Sequence, residues 1–238
     1  MSINSNEILN KIFLTNLKII FRKIFPKYFN KSYSQEGEDM ILKRIFENKK
    51  NGFFIDIGAH HPKKFSNTFF FYLKGWNGIN IDAMPGSMKI FKKTRKNDIN
   101  LEIPISENKQ ILTYFAFNEP ALNSFDEELS IKRLSNSNYH LKFKKHIETS
   151  RLEDVLDKYL PLNTTIDFLT IDVEGLDFQV LKSLNLKKYK PNIILIEILD
   201  SNFNNLFTNE ISLFLFENDY EIIAKSVNTV FFKKISIK

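Results

Sequence analysis

From residue 34 to the C-terminus, short apolar runs of strand length alternate with stretches whose apolar residues recur every three or four positions. "GFFIDIGA" (52–59), "IDFLTIDV" (166–173) and "NIILIEIL" (192–199) are nearly continuous apolar runs, as strands covered on both faces require, and "WNGINIDA" (76–83) reads as a further strand. Between them fall helical patterns: "DMILKRIFEN" (39–48) with Met40, Ile41, Ile45 and Leu42 inward, the lysine-faced "GSMKIFKKTRK" (86–96), "RLEDVLDKYL" (151–160) closed by Pro161, and "LDFQVLKSL" (176–184). Strand, helix, strand repeated this way predicts an α/β fold, a doubly wound and mostly parallel sheet. "INLEIPIS" (99–106) and "ILTYFAF" (111–117) read as further strands and "EISLFLFEND" (210–219) as a helix. "YEIIAKSV" (220–227) and "TVFFKKI" (229–235) are close enough to form an antiparallel hairpin at the sheet edge.

A length of 238 residues suits one such domain with a sizeable core. The absence of cysteine excludes disulfides, thiolate metal sites and cysteine nucleophiles, and suits a reducing, cytoplasmic setting. The net charge of +6 is concentrated at the start, where Lys11, Lys18, Arg22, Lys23, Lys27 and Lys31 face only Glu7. The expected organisation is therefore a basic amphipathic helix within residues 1–31 and a nearly neutral domain over 32–238. A nucleic-acid partner would call for the basic footprint on the folded domain, so none is expected.

The N-terminal helix sets Leu9, Ile12, Phe13, Leu17, Ile20, Phe21 and Ile24 along one face. Its apolar runs are too short to span a bilayer, and no signal-peptide cleavage pattern follows. Two uses stay open for residues 8–25: peripheral contact with an anionic membrane surface, or packing on this domain or on a second copy in a homo-oligomer. Residues 118–150 break the strand–helix alternation and are long for a structureless connection, which marks them as a lid or acceptor-binding insertion.

In an open α/β sheet, ligands bind beyond the carboxyl ends of the strands. The polar residues inside or after the apolar strands are Asp56, Gly58, Ala59, His60 and His61, then Asp82, Ser106, Asp172 with Glu174, and Glu197. Buried carboxylates are costly unless paired or liganded, so their collection at one sheet edge points to a ligand. A dinucleotide fold would place a glycine-rich phosphate cradle after the first strand, but no glycine follows Gly58 until Gly75. Asp82 stands where an acidic side chain can accept hydrogen bonds from both hydroxyls of a ribose. A nucleoside without phosphates fits both facts, and S-adenosylmethionine is the common one.

"SQEGED" (34–39), "GFFIDIGAHHPKKFSNT" (52–68), "GWNGINIDAMPGSM" (75–88), "IDFLTIDVEGLD" (166–177) and "PNIILIEI" (191–198) resemble, in order and spacing, the FkbM family of S-adenosylmethionine-dependent methyltransferases. The likeness covers roughly residues 33–200. It implies a seven-stranded sheet of the methyltransferase type and O-methylation. Family members with the doubled histidine are similar to enzymes found beside surface-polysaccharide biosynthesis, which implies a carbohydrate acceptor, either a sugar nucleotide or a glycan.

On that reading Ser34, Gln35, Asp56, Gly58, Ala59, Asp82, Ser106 and Asp172 are candidates for cofactor contacts. Gly58 lets the backbone approach the methionine part and Asp56 faces its ammonium; the alternatives are a strand-end turn, and a turn serine at Ser106. His60 and His61 are candidate bases, since a sugar hydroxyl becomes a competent nucleophile only as its proton leaves. If the chain is extended they face opposite ways, one toward the acceptor and the other holding the loop. Asp172 or Glu174 could serve as base instead. Asp172, Glu174 and Glu197 could also hold a magnesium ion on the acceptor hydroxyls. Asn67 and Thr68 either line the acceptor side or begin the next helix. Two rivals are a nicotinamide-dependent oxidoreductase, which the missing glycines disfavour, and a non-catalytic module that binds a nucleoside or tethers a glycan-assembly complex.

Overall fold

A computed structural model of the chain describes residues 13–17 and 29–235. The chain divides into two compact units, residues 1–32 and 33–238. In the first, residues 13–17 are helical and exposed; the rest of the amphipathic helix expected over 8–25 lies outside the described residues. Among the described residues no helix is long and apolar enough to cross a membrane.

The second unit is built on β1 (Phe53–Ile57), which pairs in parallel with β2 (Asn77–Asp82) on one side and β6 (Phe168–Ile171) on the other. β3 (Ile99–Glu102) extends the sheet beyond β2, and β7 (Ile193–Glu197) beyond β6, both parallel. β9 (Thr229–Lys234) then pairs antiparallel with β7 and carries β8 (Tyr220–Lys225) at the outer edge. The result is a seven-stranded, mostly parallel sheet in the order β3-β2-β1-β6-β7-β9-β8, closed by the expected antiparallel hairpin.

Alternation along each strand sends its side chains into two different layers. Ile55 and Ile57 of β1, Ile79 and Ile81 of β2, Leu169 and Ile171 of β6, and Ile194 and Ile196 of β7 are all buried in one layer. α5 (Leu152–Tyr159), α6 (Asp177–Lys182), α7 (Leu186–Tyr189) and α8 (Glu210–Glu217) cover it. Each such side chain is worth roughly 1.5–3 kcal/mol on burial, which fixes the register. The opposite face carries Phe54, Phe168, Leu195 and Phe231, packed under α1 (Glu38–Ile45) and α2 (Phe69–Leu73). Leu42 is the apolar residue of α1 that is fully buried; Met40, Ile41 and Ile45 are only half-buried. α3 (Met88–Thr94) adds Met88 and Phe91, which pack with Ala59.

"ILTYFAF" leaves the main sheet. It forms β4 (Ile111–Phe117), paired antiparallel with β5 (Leu141–Glu148) in a separate two-stranded sheet. The insertion is thus structured: a 3₁₀ turn at Pro120–Leu122, α4 (Glu127–Leu134) and β5 follow one another. Asp126 caps α4 by accepting from the Leu129 N–H at 2.8 Å.

Candidate active site

The ends of β1, β2 and β6 are locked together through main chain. Gly58 and Ala59 both donate their N–H to the Ile81 carbonyl at 3.0 Å, and Asp172 N–H donates to the Ile57 carbonyl at 3.0 Å. Gly58 has φ +82°, and a Cβ there would stand 1.7 Å from the Asp172 carbonyl oxygen. Only glycine fits this crossing, so the residue after β1 is dictated by the close approach of β6.

Past Gly58 the chain turns sharply at His60, whose φ is +50°. The His60 N–H donates to Asp82 Oδ2 at 2.8 Å, and the Met84 N–H donates to Asp82 Oδ1 at 2.8 Å. Burial pushes the Asp82 carboxyl above its ordinary range, and those two amides pull it back. The His60 ring lies parallel to Phe65 at 6.2 Å. Burial lowers its pKa, with Asp82 opposing, so the imidazole is neutral at pH 7.

These residues border a partly open cleft with a cavity volume of about 100 Å³. Gly58, His60, Asp82 and Met84 form one rim, with Ile103, Ile105, Tyr114 and Phe125 as an apolar and aromatic wall. Gln35, Asn67, Asp172 and Glu174 also line it, Asp172 directly beside Gly58. Among the described residues seven non-glycine positions have positive φ, and three of them, His60, Phe65 and Glu174, line this cleft. Backbone held in this region costs about 1–3 kcal/mol each, a cost that concentrates where function needs a particular side-chain direction.

Carboxylates dominate the β6–β7 end. Asp172, Asp177 and Glu197 each bring an oxygen within 4.8 Å of the others. Asp172 is open to the cleft, yet the surrounding protein and Glu197, Glu174 and Asp177 raise its pKa well above the ordinary value. Burial, then Asp177 and Glu174, pushes Glu197 up to about 8, and its Oε2 is buried with no hydrogen-bond partner. Asp177 is raised to about 6 by burial, although it accepts from the Val173 and Gly175 amides. Glu174 is paired with Arg133 of α4, which offsets part of the upward push of burial. Arg133 also donates to the Leu122 carbonyl at 2.7 Å, and Ser124 Oγ donates to the Glu174 carbonyl at 2.6 Å. The insertion is thereby tied to the end of β6.

The Methyltransferase FkbM domain profile matches residues 56–222, well over half the sequence. The chain belongs to the FkbM methyltransferase family. No curated protein matches it at a significant level. Among solved structures it is similar to a candidate RNA methyltransferase from Pyrococcus horikoshii, with 10% identity over 91% of this chain and 97% of that one and a TM-score of 0.44. A candidate type 11 methyltransferase from Sulfolobus solfataricus is similar at 14% identity over 86% and 95%, with a TM-score of 0.40. These two likenesses are too distant to bring a substrate to this chain.

Several positions singled out from sequence lie off the cleft of this FkbM domain. Asp56 sits on the opposite face of the sheet from Ile55 and Ile57, where it accepts from Thr68 Oγ1 at 2.8 Å; burial raises its pKa to about 6. Thr68 is fully buried at the start of α2, so it opens the helix and does not reach an acceptor. Asn67 does border the cleft, and it donates to Thr170 Oγ1 at 3.0 Å. His61 Nδ1 accepts from the Lys63 and Lys64 amides at 3.1 and 2.9 Å, so it holds the loop while His60 faces the cleft. Ser34 Oγ donates to Asp39 Oδ1 at 2.9 Å and lies off the cleft that Gln35 lines. Ala59 packs with Met88 and Phe91. Ser106 is buried at the base of the β4–β5 hairpin, 2.7 Å from Thr149 Oγ1. Glu197 meets Asp172 and Asp177 but is not among the cleft-lining residues, whereas Glu174 lines the cleft while paired with Arg133.

Sequence reasoning missed Tyr114, Phe125, Asp177 and Arg133 in the FkbM site. Three of them belong to β4 and the insertion, whose return onto the strand ends is a tertiary event without a local signal. Asp177 carried one: an acid opening a helix just after "DVEG" suits the free amides of a first turn.

Proposed function

We propose that this chain is an S-adenosylmethionine-dependent O-methyltransferase whose acceptor is a sugar hydroxyl, carried on a sugar nucleotide or a surface glycan. The observation that carries the reading is the hydrogen bond between His60 N–H and Asp82, which joins a ribose-binding carboxylate and a neutral base at one rim of the cleft. The residues present fit the nucleoside. Asp82 keeps lone pairs for ribose hydroxyls after accepting two amides, and Ile103, Ile105, Tyr114 and Phe125 offer a flat apolar surface for a base. S-adenosylmethionine bound there supplies a methyl group on a positively charged sulfur.

Within the site His60 accepts the hydroxyl proton at a ring nitrogen as the oxygen attacks, and its lowered pKa leaves it ready to do so near neutral pH. Asp172 and Glu174 accept hydrogen bonds from neighbouring sugar hydroxyls and hold the acceptor in line, the larger part of the rate. β4 and the insertion line the cleft through Tyr114 and Phe125, and the insertion grips Glu174 through Arg133, which suits a lid over both substrates. A magnesium ion on the acceptor is a second reading, favoured by the convergence of Asp172, Asp177 and Glu197 and the unpartnered Glu197 Oε2. Asp177 takes the place expected for Glu174 in that set. The basic stretch 8–25 suits peripheral contact with an anionic membrane, at its cytoplasmic face, and liposome binding by the full chain against a chain lacking residues 1–31 tests it.

The experiment is incubation with methyl-labelled S-adenosylmethionine and a panel of nucleotide-activated sugars, with and without EDTA. Label in a sugar, lost in His60→Ala, supports the reading; turnover unaffected by EDTA removes the magnesium version. A chain that binds S-adenosylhomocysteine but labels no acceptor, polymeric glycans included, is the tethering module instead.

A further inference from the structure

Arg95 carries a full positive charge into the protein with no solvent exposure. A buried ion costs several kcal/mol unless partners compensate it, and apolar residues of similar volume often pack at no loss of stability. Its partners therefore bear on why the charge is there. Nε donates to Asp98 Oδ2 at 2.8 Å, Nη2 to Thr68 Oγ1 at 3.1 Å and Nη1 to the Pro62 carbonyl at 3.2 Å. The guanidinium carbon lies 4.6 Å from the ring centre of Tyr72 and 5.3 Å from that of Phe54. Three acceptors and two aromatic faces leave this planar group a single orientation.

Asp98 and Thr68 belong to the scaffold, following α3 and opening α2. The Pro62 carbonyl does not: it closes the run Gly58–Pro62 that presents His60. At its other end the same run hangs on β2, through the Ile81 carbonyl and the Asp82 carboxylate. His60, with its positive φ, stands between the two anchors.

We infer that Arg95 is a positioning residue: from the opposite face of the sheet it fixes the loop that sets His60 in the cleft. Its part in turnover rests on the reading of His60 as the base. An unpinned loop lets His60 swing away from Phe65 into solvent, and a misplacement of about 1 Å can cost on the order of 100-fold in rate.

The test is an NMR titration of the imidazoles in the full chain, whose four histidines are assignable by single substitutions. The charged groups facing His60 are Asp82 from β2, Lys64 and His61 from its own loop, and Glu119 from the insertion. Arg95→Met removes none of them. The expected result is a His60 titration that moves up toward the ordinary imidazole value, faster amide exchange at Gly58–His60, and methyl transfer lowered about 10- to 100-fold. S-adenosylhomocysteine affinity stays within about twofold, a change of no more than about 0.4 kcal/mol. Thr68→Val is the second variant should Arg95→Met fail to fold: it keeps the Asp98 pair, removes one of the three acceptors, and is expected to shift His60 in the same direction by less. An unchanged His60 titration and loop exchange in a folded Arg95→Met, or in Thr68→Val if that alone folds, overturns the inference. If the wild-type chain binds no S-adenosylhomocysteine, or His60→Ala turns over normally, the functional reading falls while the titration still decides the role of Arg95.

Discussion

The backbone amide of His60 is bound to the side-chain carboxylate of Asp82 at 2.8 Å, so the residue proposed to take a proton is held by the residue proposed to hold the ribose. Loss of either group therefore reaches the other. Loss of the His60 imidazole leaves this backbone hydrogen bond in place.

His60→Ala is expected to lower methyl transfer by about 10²- to 10⁴-fold, the range for a lost general base, while S-adenosylhomocysteine still binds. His61→Ala is expected to cost far less turnover and some stability, since it removes the acceptor for the Lys63 and Lys64 amides. Single-turnover rates and calorimetry on both variants check this; equal losses of rate contradict the division of labour.

The pH dependence of kcat/KM follows from the direction of the His60 shift. Burial lowers its pKa, so the base form persists below the ordinary imidazole value of about 6.5, and the acid limb falls below that value. A limb above 7 that disappears in His60→Ala contradicts the buried setting of the ring.

Gly58→Ala is expected to lose more than about 3 kcal/mol of stability, because positive φ and a collision with backbone act together. For a chain of this size that is a fall of at least about 6 °C in Tm. A calorimetric scan showing a smaller change would mean that β1 and β6 separate more readily than their contact implies.

Asp56 carries a pH-dependent cost. Its pKa is raised to about 6 in the fold from 3.8, so the folded chain holds a proton there that the unfolded chain has lost between those values. Stability from this group is therefore highest below 3.8 and falls as pH rises through 6, by on the order of 3 kcal/mol. Asp56→Asn keeps an acceptor for Thr68 and lacks the cost. It is expected to exceed wild type in stability at pH 8 and to converge with it near pH 4, by urea denaturation.

The sheet was legible because its strands are buried on both faces and its helices carry one apolar stripe, both local patterns. β4 was legible as a strand, but its pairing was not: "LKFKKHIE" is mostly exposed and lysine-rich, and Lys145 breaks the alternation of Leu141, Phe143 and Ile147, so only a weak local signal announces β5. At the site, Gly58, His60 and Asp82 lie where strand-end reasoning places them. Asp56 does not, although the period of two gave the warning: a residue two from Phe54 shares its face and lies opposite Ile55 and Ile57. The buried acids Glu38 and Asp39 resembled ordinary first-turn charges, yet Asp39 accepts from the Tyr33 amide and Glu38 from Thr229. The Tyr33–Asp39 bond is local, six residues apart, but Glu38 and Thr229 stand 191 residues apart, and no window of sequence contains that pair.

The central claim is that the cleft between Asp82 and Asp172 binds S-adenosylmethionine. Isothermal titration of the full chain with S-adenosylhomocysteine tests it most directly. The prediction is one site per chain that is weakened at least about tenfold in Asp82→Asn, equivalent to about 1.4 kcal/mol, with no binding of NAD. A folded wild-type chain that takes up no S-adenosylhomocysteine, or one whose binding is indifferent to Asp82, contradicts the account.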